Sequence, residues 1–152
     1  MASYFFDTSA LAKAYRTEAG TDKVSEVLAE AGGRFFISSL SCVEFQSVFA
    51  QKVRAGEATQ SEFDVLRKKF GGEIRSKRIL VKTLLRRHQQ DAERLIVTHS
   101  PSRRLRTLDA LQLAVALDLR ANGMIDHFVL ADRHLADVAA LEGLSVINPE
   151  IP

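Results

Sequence analysis

The sequence alternates short runs of aromatic and β-branched residues with longer amphipathic segments. Short apolar runs bounded by turn residues are typical of buried strands, and the longer segments have the spacing of helices. Strands that alternate with helices favour a parallel sheet covered on both faces. We therefore predict an α/β fold with a central parallel β-sheet of about five short strands, flanked by helices on both sides. The predicted strands are Tyr4–Phe6, Arg34–Ser38, Ile79–Val81, His127–Ala131 and Leu144–Ile147.

A chain of 152 residues, of which 46% are hydrophobic and 26% are charged, fits one globular domain over residues 1–152. No apolar run is long enough to span a bilayer, and the first residues lack the features of a signal peptide. Cys42 is the only cysteine, which excludes an internal disulfide. We therefore expect a cytoplasmic protein that has no membrane partner.

Acidic residues follow the first two predicted strands. Asp7 ends the first strand, and Thr8 and Ser9 then provide hydroxyls that can cap the next helix. Glu44 lies in the first turn of the helix that follows the second strand. Both acids have alternative, purely structural explanations: an Asx turn for Asp7, and a capping box between Ser41 and Glu44.

Two further acids lie at comparable places later in the chain. Asp109 is near the start of a helix, TLDALQLAVALDLR, that is apolar nearly all round and is therefore expected to be buried. Asp109 and Gln112 share its one polar strip. A buried carboxylate is costly unless it is paired, so Asp109 requires a bound cation or an arginine such as Arg104 or Arg106. Asp132 follows the fourth strand, where an N-cap is the alternative explanation.

The four acids share one position in the predicted fold, the edge of the sheet where its strands end. Ligands bind at this edge in open α/β sheets. Carboxylates held close together repel one another, and a shared divalent cation relieves that repulsion. Oxygen ligands alone suit Mg²⁺ or Mn²⁺, and the histidines lack zinc-ligand spacing. The predicted metal ligands are Asp7, Glu44, Asp109 and Asp132.

Basic residues are concentrated in two places although the net charge is only +2. One is the segment from Arg67 to Arg87, and the other is Arg103, Arg104 and Arg106, directly before Asp109. A basic zone on a nearly neutral chain can attract a polyanion. For the first segment, a solvated helix face is the alternative explanation.

Four segments resemble the PIN-domain ribonucleases, and in particular the VapC toxins of bacterial toxin–antitoxin pairs. They are FFDTSALAK, SSLSCVEF, RTLDALQLA and FVLADRHLADVAALEGLSVINP. They occur in the family's order, and the resemblance extends over nearly the whole chain, although the segment from Gly56 to Ser102 matches only in length and helical character. The resemblance implies that the catalytic, metal-binding acids are Asp7, Glu44, Asp109 and Asp132, with Thr8 or Ser9 as a supporting hydroxyl.

The resemblance also implies a function. It predicts an endoribonuclease that depends on Mg²⁺ or Mn²⁺, hydrolyses RNA phosphodiester bonds and acts as the toxin of a VapBC-type pair. In this mechanism the metal activates a water for attack on phosphorus, and Arg103, Arg104 and Arg106 hold RNA phosphates. The implied partners are the RNA substrate, a VapB-like antitoxin and a second copy of the chain in a homodimer. Apolar residues of the second and third helical regions could form the antitoxin groove, with ordinary core packing as the alternative explanation. They are Val27, Leu28, Phe49, Phe63, Leu66 and Phe70.

One departure from the family concerns the last acid. Family members often carry Ser or Thr two residues before it, and this chain has Leu130 there, so Asp126 is kept as a weaker substitute for Asp132. The alternative function is a PIN-like module that binds RNA or protein without catalysis. Aspartyl-phosphate proteins of the receiver or haloacid-dehalogenase type fit poorly, because Asp7 is not accompanied by the second acid that they require.

Overall fold

The computed structural model describes all residues, 1–152, and contains five strands and seven helices. The strands are β1 (Ser3–Phe6), β2 (Arg34–Ser38), β3 (Leu80–Lys82), β4 (His127–Val129) and β5 (Val146–Ile147). The helices are α1 (Thr8–Ala12), α2 (Thr21–Leu28), α3 (Ser39–Arg54), α4 (Gln60–Arg75), α5 (Arg86–His99), α6 (Thr107–Ala121) and α7 (Arg133–Leu141).

All five strands form one parallel sheet in the order β3-β2-β1-β4-β5. The central strand is β1, in which Phe5 lies beside Phe36 of β2 and Phe128 of β4. Because every strand runs in the same direction, the carboxyl ends of all five lie at one edge. The predicted α/β fold with a five-stranded parallel sheet is confirmed, and Asp7 follows the central strand at this edge.

Strand side chains alternate between two hydrophobic cores, one on each face of the sheet. Phe5, Phe36 and Phe128 are buried on one face with residues of α5, α6 and α7. Phe6 and Ile37 are buried on the other face with residues of α1, α2, α3 and α4. This alternation follows from the two-residue period of a strand, and it confirms that helices flank the sheet on both sides.

Stacked aromatic rings hold α3 against α4. The Phe45 and Phe70 rings lie 4.0 Å apart between centroids at an interplanar angle of 7°, and Tyr15 meets both rings edge-on. Phe45 and Phe70 are both buried in the core that α1 to α4 form with the sheet. The edge-on contacts of Tyr15 have a preferred aromatic geometry, and the cluster as a whole joins α3 to α4 and to the segment after α1.

The prediction of an antitoxin groove from six helical residues is largely wrong. Val27, Phe49 and Phe70 belong to the buried core, so no partner can reach them. Leu28 and Phe63 are partly buried and pack against that core. Sequence periodicity identifies the apolar side of a helix, but it does not distinguish a core-facing side from a groove-facing one. Leu66, the remaining one of the six residues predicted to form the groove, is also partly buried and packs against the same core.

Helix boundaries differ from the predicted ones where local signals compete. α3 begins at Ser39, with Ser38 as its N-cap residue, so the predicted capping box between Ser41 and Glu44 does not form. Thr59 and Glu62 also have the spacing of a capping box in the sequence, and at the start of α4 this box forms. None of the seven helices combines the length and the apolar character that a membrane crossing requires.

Candidate active site

Asp7 lies at the centre of the carboxyl edge, between the ends of β1 and β4. Its backbone N–H donates to the Val129 carbonyl at 3.0 Å, and its side chain is buried. Ser9 Oγ donates to Asp7 Oδ2 at 2.8 Å. Burial raises the pKa of Asp7 to about 6, and the nearby charges of Glu44 and Asp109 add to this rise. The sheet therefore brings three acids from distant parts of the chain close enough to repel one another.

Glu44 is held by a buried polar network rather than by a helix cap. Gln112 Nε2 donates to Glu44 Oε1 at 2.7 Å, and Thr8 Oγ1 donates to the same oxygen at 2.9 Å. Gln112 is only 1% exposed, and its Nε2 also lies within 3.0 Å of Ser41 Oγ. Ser38 Oγ donates to Gln112 Oε1 at 2.9 Å. Gln112 thus joins α1, β2, α3 and α6 at the carboxyl edge and holds one oxygen of Glu44 in place.

Asp109 and Asp132 share an arginine. Arg106 Nε lies 3.2 Å from Asp109 Oδ2, and Arg106 Nη2 lies 3.6 Å from Asp132 Oδ2. Burial raises the pKa of Asp109 above its ordinary value even though Arg106 opposes the shift, and the charge of Asp132 adds to the rise. Asp132 also caps α7, because its Oδ1 accepts from the Leu135 N–H at 3.0 Å. Both alternative explanations therefore hold: Asp109 has an arginine partner, and Asp132 is an N-cap. Asp109 lies near Asp7 on one side and near Asp132 on the other.

The basic residues before α6 divide into two kinds. Arg103 and Arg104 are exposed and form no ion pair, whereas Arg106 is engaged by two acids. The Arg104 charge nevertheless lowers the pKa of Asp109, so this side chain lies near the acids. Arg103 and Arg104 are thus the available anion-binding groups at this edge.

Asp126 is not part of this region, and its expectation as a substitute for Asp132 is wrong. Its Oδ2 accepts from the backbone N–H of Ser3, the first residue of β1, at 2.8 Å. That end of β1 is the edge of the sheet opposite Asp7. Asp132 therefore remains the acid that completes the group.

The donor chemistry of the four acids suits a hard divalent cation, because it consists of carboxylate oxygens only. As positioned, however, no three Asp, Glu, His or Cys side chains converge closely enough to hold a metal ion. Arg106 supplies a single positive charge to Asp109 and Asp132, while Asp7 has no cationic partner. Burial and the neighbouring acids disfavour the ionised form of Asp7, which is why its pKa is raised. A bound cation would stabilise that negative charge.

Sequence reasoning missed the residues that organise Glu44. The sequence pattern predicts only that Gln112 shares a polar strip with Asp109 and that Ser38 ends a strand. The available signal was a single amide in an otherwise apolar, buried helix, since a buried amide requires hydrogen-bond partners. Its partners come from residues 8, 38, 41 and 44, and only the tertiary structure identifies them.

The comparisons with known proteins agree with this fold. A family model described as PIN domain matches residues 4–141. No curated protein matches the chain in sequence. Among solved structures, VapC20 from Mycobacterium tuberculosis, described as a sarcin–ricin loop cleaving toxin, is similar with a TM-score of 0.70 and 18% identity. The match covers 96% of this chain and 99% of VapC20.

Two other solved structures are similar over nearly their whole length. FitAcB from Neisseria gonorrhoeae has a TM-score of 0.67 at 14% identity, covering 98% of this chain and 99% of that chain. VapBC2 from Rickettsia felis, bound to a DNA fragment from its promoter, has a TM-score of 0.64 at 13% identity, with 96% and 98% covered. At these identities the similarity establishes a common fold.

Proposed function

The chain belongs to the PIN domain family, and on that basis we propose that it is an endoribonuclease that depends on Mg²⁺ or Mn²⁺ and hydrolyses RNA phosphodiester bonds. We also propose that it acts as the toxin of a VapBC-type toxin–antitoxin pair. The observation that carries the proposal is that Glu44 and Asp109 lie near the buried Asp7 at one edge of the sheet, and that Arg106 joins Asp109 to Asp132. The likeness to VapC20, a sarcin–ricin loop cleaving toxin, supports RNA as the substrate class.

The proposed roles of the acids follow from their contacts. A divalent cation held by Asp7, Glu44, Asp109 and Asp132 would supply a Lewis acid that activates water and neutralises charge on the phosphoryl oxygens. The Asp7 carboxyl is ionised above about pH 6, and Ser9 Oγ donates a hydrogen bond to its Oδ2. Gln112 and Thr8 hold Oε1 of Glu44 and leave its Oε2 without a hydrogen-bond partner. This leaves one oxygen of Glu44 available as a ligand.

The proposed RNA contacts at this edge are made by arginines. Arg103 and Arg104 are exposed and have no carboxylate partner, so their guanidinium groups can each bind a phosphate. Arg106 would become a third contact once Asp109 and Asp132 bind a cation instead. These contacts offset the repulsion between the acidic centre and the RNA backbone.

The proposed protein partners are an antitoxin and a second copy of the chain. A surface groove of about 440 Å³ between α4 and the segment after α1 offers an apolar site for an antitoxin segment. The likeness to VapBC2 supports a partner of this kind. Light scattering after size exclusion tests the homodimer, and a monomer at high concentration would contradict it. The groove is lined by Tyr15, Arg16, Ala58, Ser61, Glu62, Val65 and Leu66.

The experiment that tests the activity compares wild-type protein with Asp7→Asn on labelled RNA, with Mg²⁺, with Mn²⁺ and with EDTA. We expect cleavage by the wild type with either metal, and none in EDTA or with the variant. The matched control is Asp126→Asn, because this exposed carboxylate lies at the opposite edge. Equal cleavage by wild type and Asp7→Asn would refute the proposed mechanism.

A non-catalytic binding module is the second candidate, and one observation favours it. No three acidic side chains converge on a metal position, and Arg106 already pairs with two of them. The two candidates differ in metal binding: a nuclease is stabilised by Mn²⁺, because a ligand that binds only the folded state raises the melting temperature. A module without a metal site shows no such rise and no cleavage.

A further inference from the structure

Positive charge is concentrated in one part of this chain. Residues 64–87 contain nine Lys and Arg but only two Asp and Glu, a net charge of +7. The whole chain has a net charge of +2, so the remaining residues are net negative by five. An uneven distribution of this size creates a local field that attracts anions even though the protein as a whole is nearly neutral.

Part of this charge lines a polar cleft on α4, which we call the α4 cleft and define by Asp64, Arg67, Lys68 and Arg75. Its volume is about 430 Å³, and no hydrophobic residue lines it. Arg67 is fixed at one end, because its Nε donates to Gln46 Oε1 at 3.1 Å and its Nη1 lies 3.8 Å from Asp64. Lys68 and Arg75 are exposed and form no ion pair. The cleft therefore carries uncompensated positive charge.

Two glycines lie within α4 between these cations. The backbone does not require glycine there, because neither Gly71 nor Gly72 has a positive φ. Neither is required by packing: an added Cβ at Gly72 would meet only Arg75 Nη2, at 3.9 Å, and at Gly71 mainly the flexible Arg75 guanidinium. Glycine destabilises a helix interior. What the pair does is leave room for the Arg75 guanidinium to lie against the helix surface on the side of Lys68.

We propose that the α4 cleft binds the phosphodiester backbone of RNA as a second contact, separate from the acidic edge; this inference rests on the proposed ribonuclease function. Lys and Arg side chains supply most backbone contacts to nucleic acids, and such contacts are independent of sequence. A protein partner would favour an apolar, aromatic centre, which the cleft lacks. A second copy of α4 would bring cations against cations.

The position of the cleft suits an extended substrate. Arg67 contacts Gln46, which lies in the second turn of α3, and the same helix carries Glu44. The cleft therefore begins beside the helix that contributes an acid to the candidate active site. Lys68 and Arg75 are separated by about two helical turns, roughly 10 Å along α4. A strand bound along the cleft would meet more than one cation.

The test measures RNA binding in EDTA, so that no cleavage occurs. Fluorescence anisotropy gives the Kd of a labelled single strand of about 30 nucleotides for wild type and for Lys68→Gln/Arg75→Gln over a range of salt concentrations. The matched control, Arg54→Gln/Arg120→Gln, removes two exposed, unpaired arginines from other helix ends. Loss of two phosphate contacts should weaken binding about 10- to 50-fold at low salt and reduce the salt slope by about 1.4.

A second variant separates binding from folding. Gly71→Gln/Gly72→Gln places good helix formers where the Arg75 guanidinium lies and displaces this cation, so the melting temperature should equal or exceed that of wild type while RNA binding weakens. Wild-type affinity in both variants, or an equal loss in the arginine control, would overturn the proposed surface. Cleavage by wild type is assayed separately with Mn²⁺: if wild type cleaves no RNA, the ribonuclease proposal fails whatever the Kd values are.

Discussion

Replacement of Asp7 by asparagine should stabilise the metal-free protein, and the effect should depend on pH. Asp7 has a pKa of about 6 in the folded chain, against an ordinary value of 3.8, chiefly because it is buried. A carboxyl whose pKa is raised on folding favours the folded state when protonated, so its contribution is lost as the pH rises through about 6. The difference of about two pKa units corresponds to about 3 kcal/mol at pH values above both pKa values.

Asparagine has nearly the same shape and cannot ionise, and its Oδ1 can still accept from Ser9 Oγ. We therefore expect Asp7→Asn to be more stable than wild type by about 2–3 kcal/mol near pH 8, and by almost nothing near pH 4. Urea unfolding in EDTA, followed by circular dichroism at several pH values, measures this difference. Other titrating carboxylates, such as Asp118 and Glu142, affect both proteins equally and cancel.

Adding Mn²⁺ should reverse the order of stability near pH 8. A ligand present at about 1,000 times its Kd stabilises the folded state by about 4.1 kcal/mol, which exceeds the advantage of the variant in EDTA, and the variant lacks the carboxylate that would bind it. Asp126→Asn is the control, because it removes an exposed acid at the opposite edge and should retain the Mn²⁺ effect. Equal stability of wild type and Asp7→Asn near pH 8 in EDTA would refute the electrostatic reasoning. Equal stabilisation of both by Mn²⁺ would refute the role of Asp7 as a ligand.

Three other variants test the surrounding contacts. Gln112→Met removes the amide that binds Glu44 and leaves buried polar groups without partners, so urea unfolding should show a loss of about 1–3 kcal/mol in stability. The variant should also bind Mn²⁺ more weakly. Unchanged Mn²⁺ affinity would show that Gln112 contributes to packing only. Arg106→Gln removes the arginine that competes with a metal ion for Asp109. Because exposed ion pairs contribute about 0.2–1 kcal/mol, Mn²⁺ titration should show binding that is at most about five-fold tighter than in wild type. Arg103→Gln/Arg104→Gln should raise the KM for RNA at unchanged kcat, with the salt slope of binding lower by about 1.4; a fall in kcat alone would contradict a phosphate-binding role.

Several features could be predicted from the sequence because their signals are local. The apolar runs of the strands, the alternation with helices and the capping box of Thr59 and Glu62 each depend on residues a few positions apart. The parallel sheet then follows from general rules, and it carries Asp7 to the edge where the strands end. The sequence therefore predicts that Asp7, Glu44, Asp109 and Asp132 lie at the same edge of the sheet.

The tertiary structure alone decided how these residues are held. Glu44 is bound by Gln112, 68 positions away, and Thr8 meets Ser41 across 33 positions, although Ser41 and Glu44 had the spacing of a capping box. Arg106 could have paired with Asp109 or bound substrate, and the structure shows it between Asp109 and Asp132. Patterns in sequence report which side of a helix is apolar or polar and where it starts. Which side chains meet there depends on how the sheet brings distant segments together, because hydrogen bonds and ion pairs act only over a few ångströms.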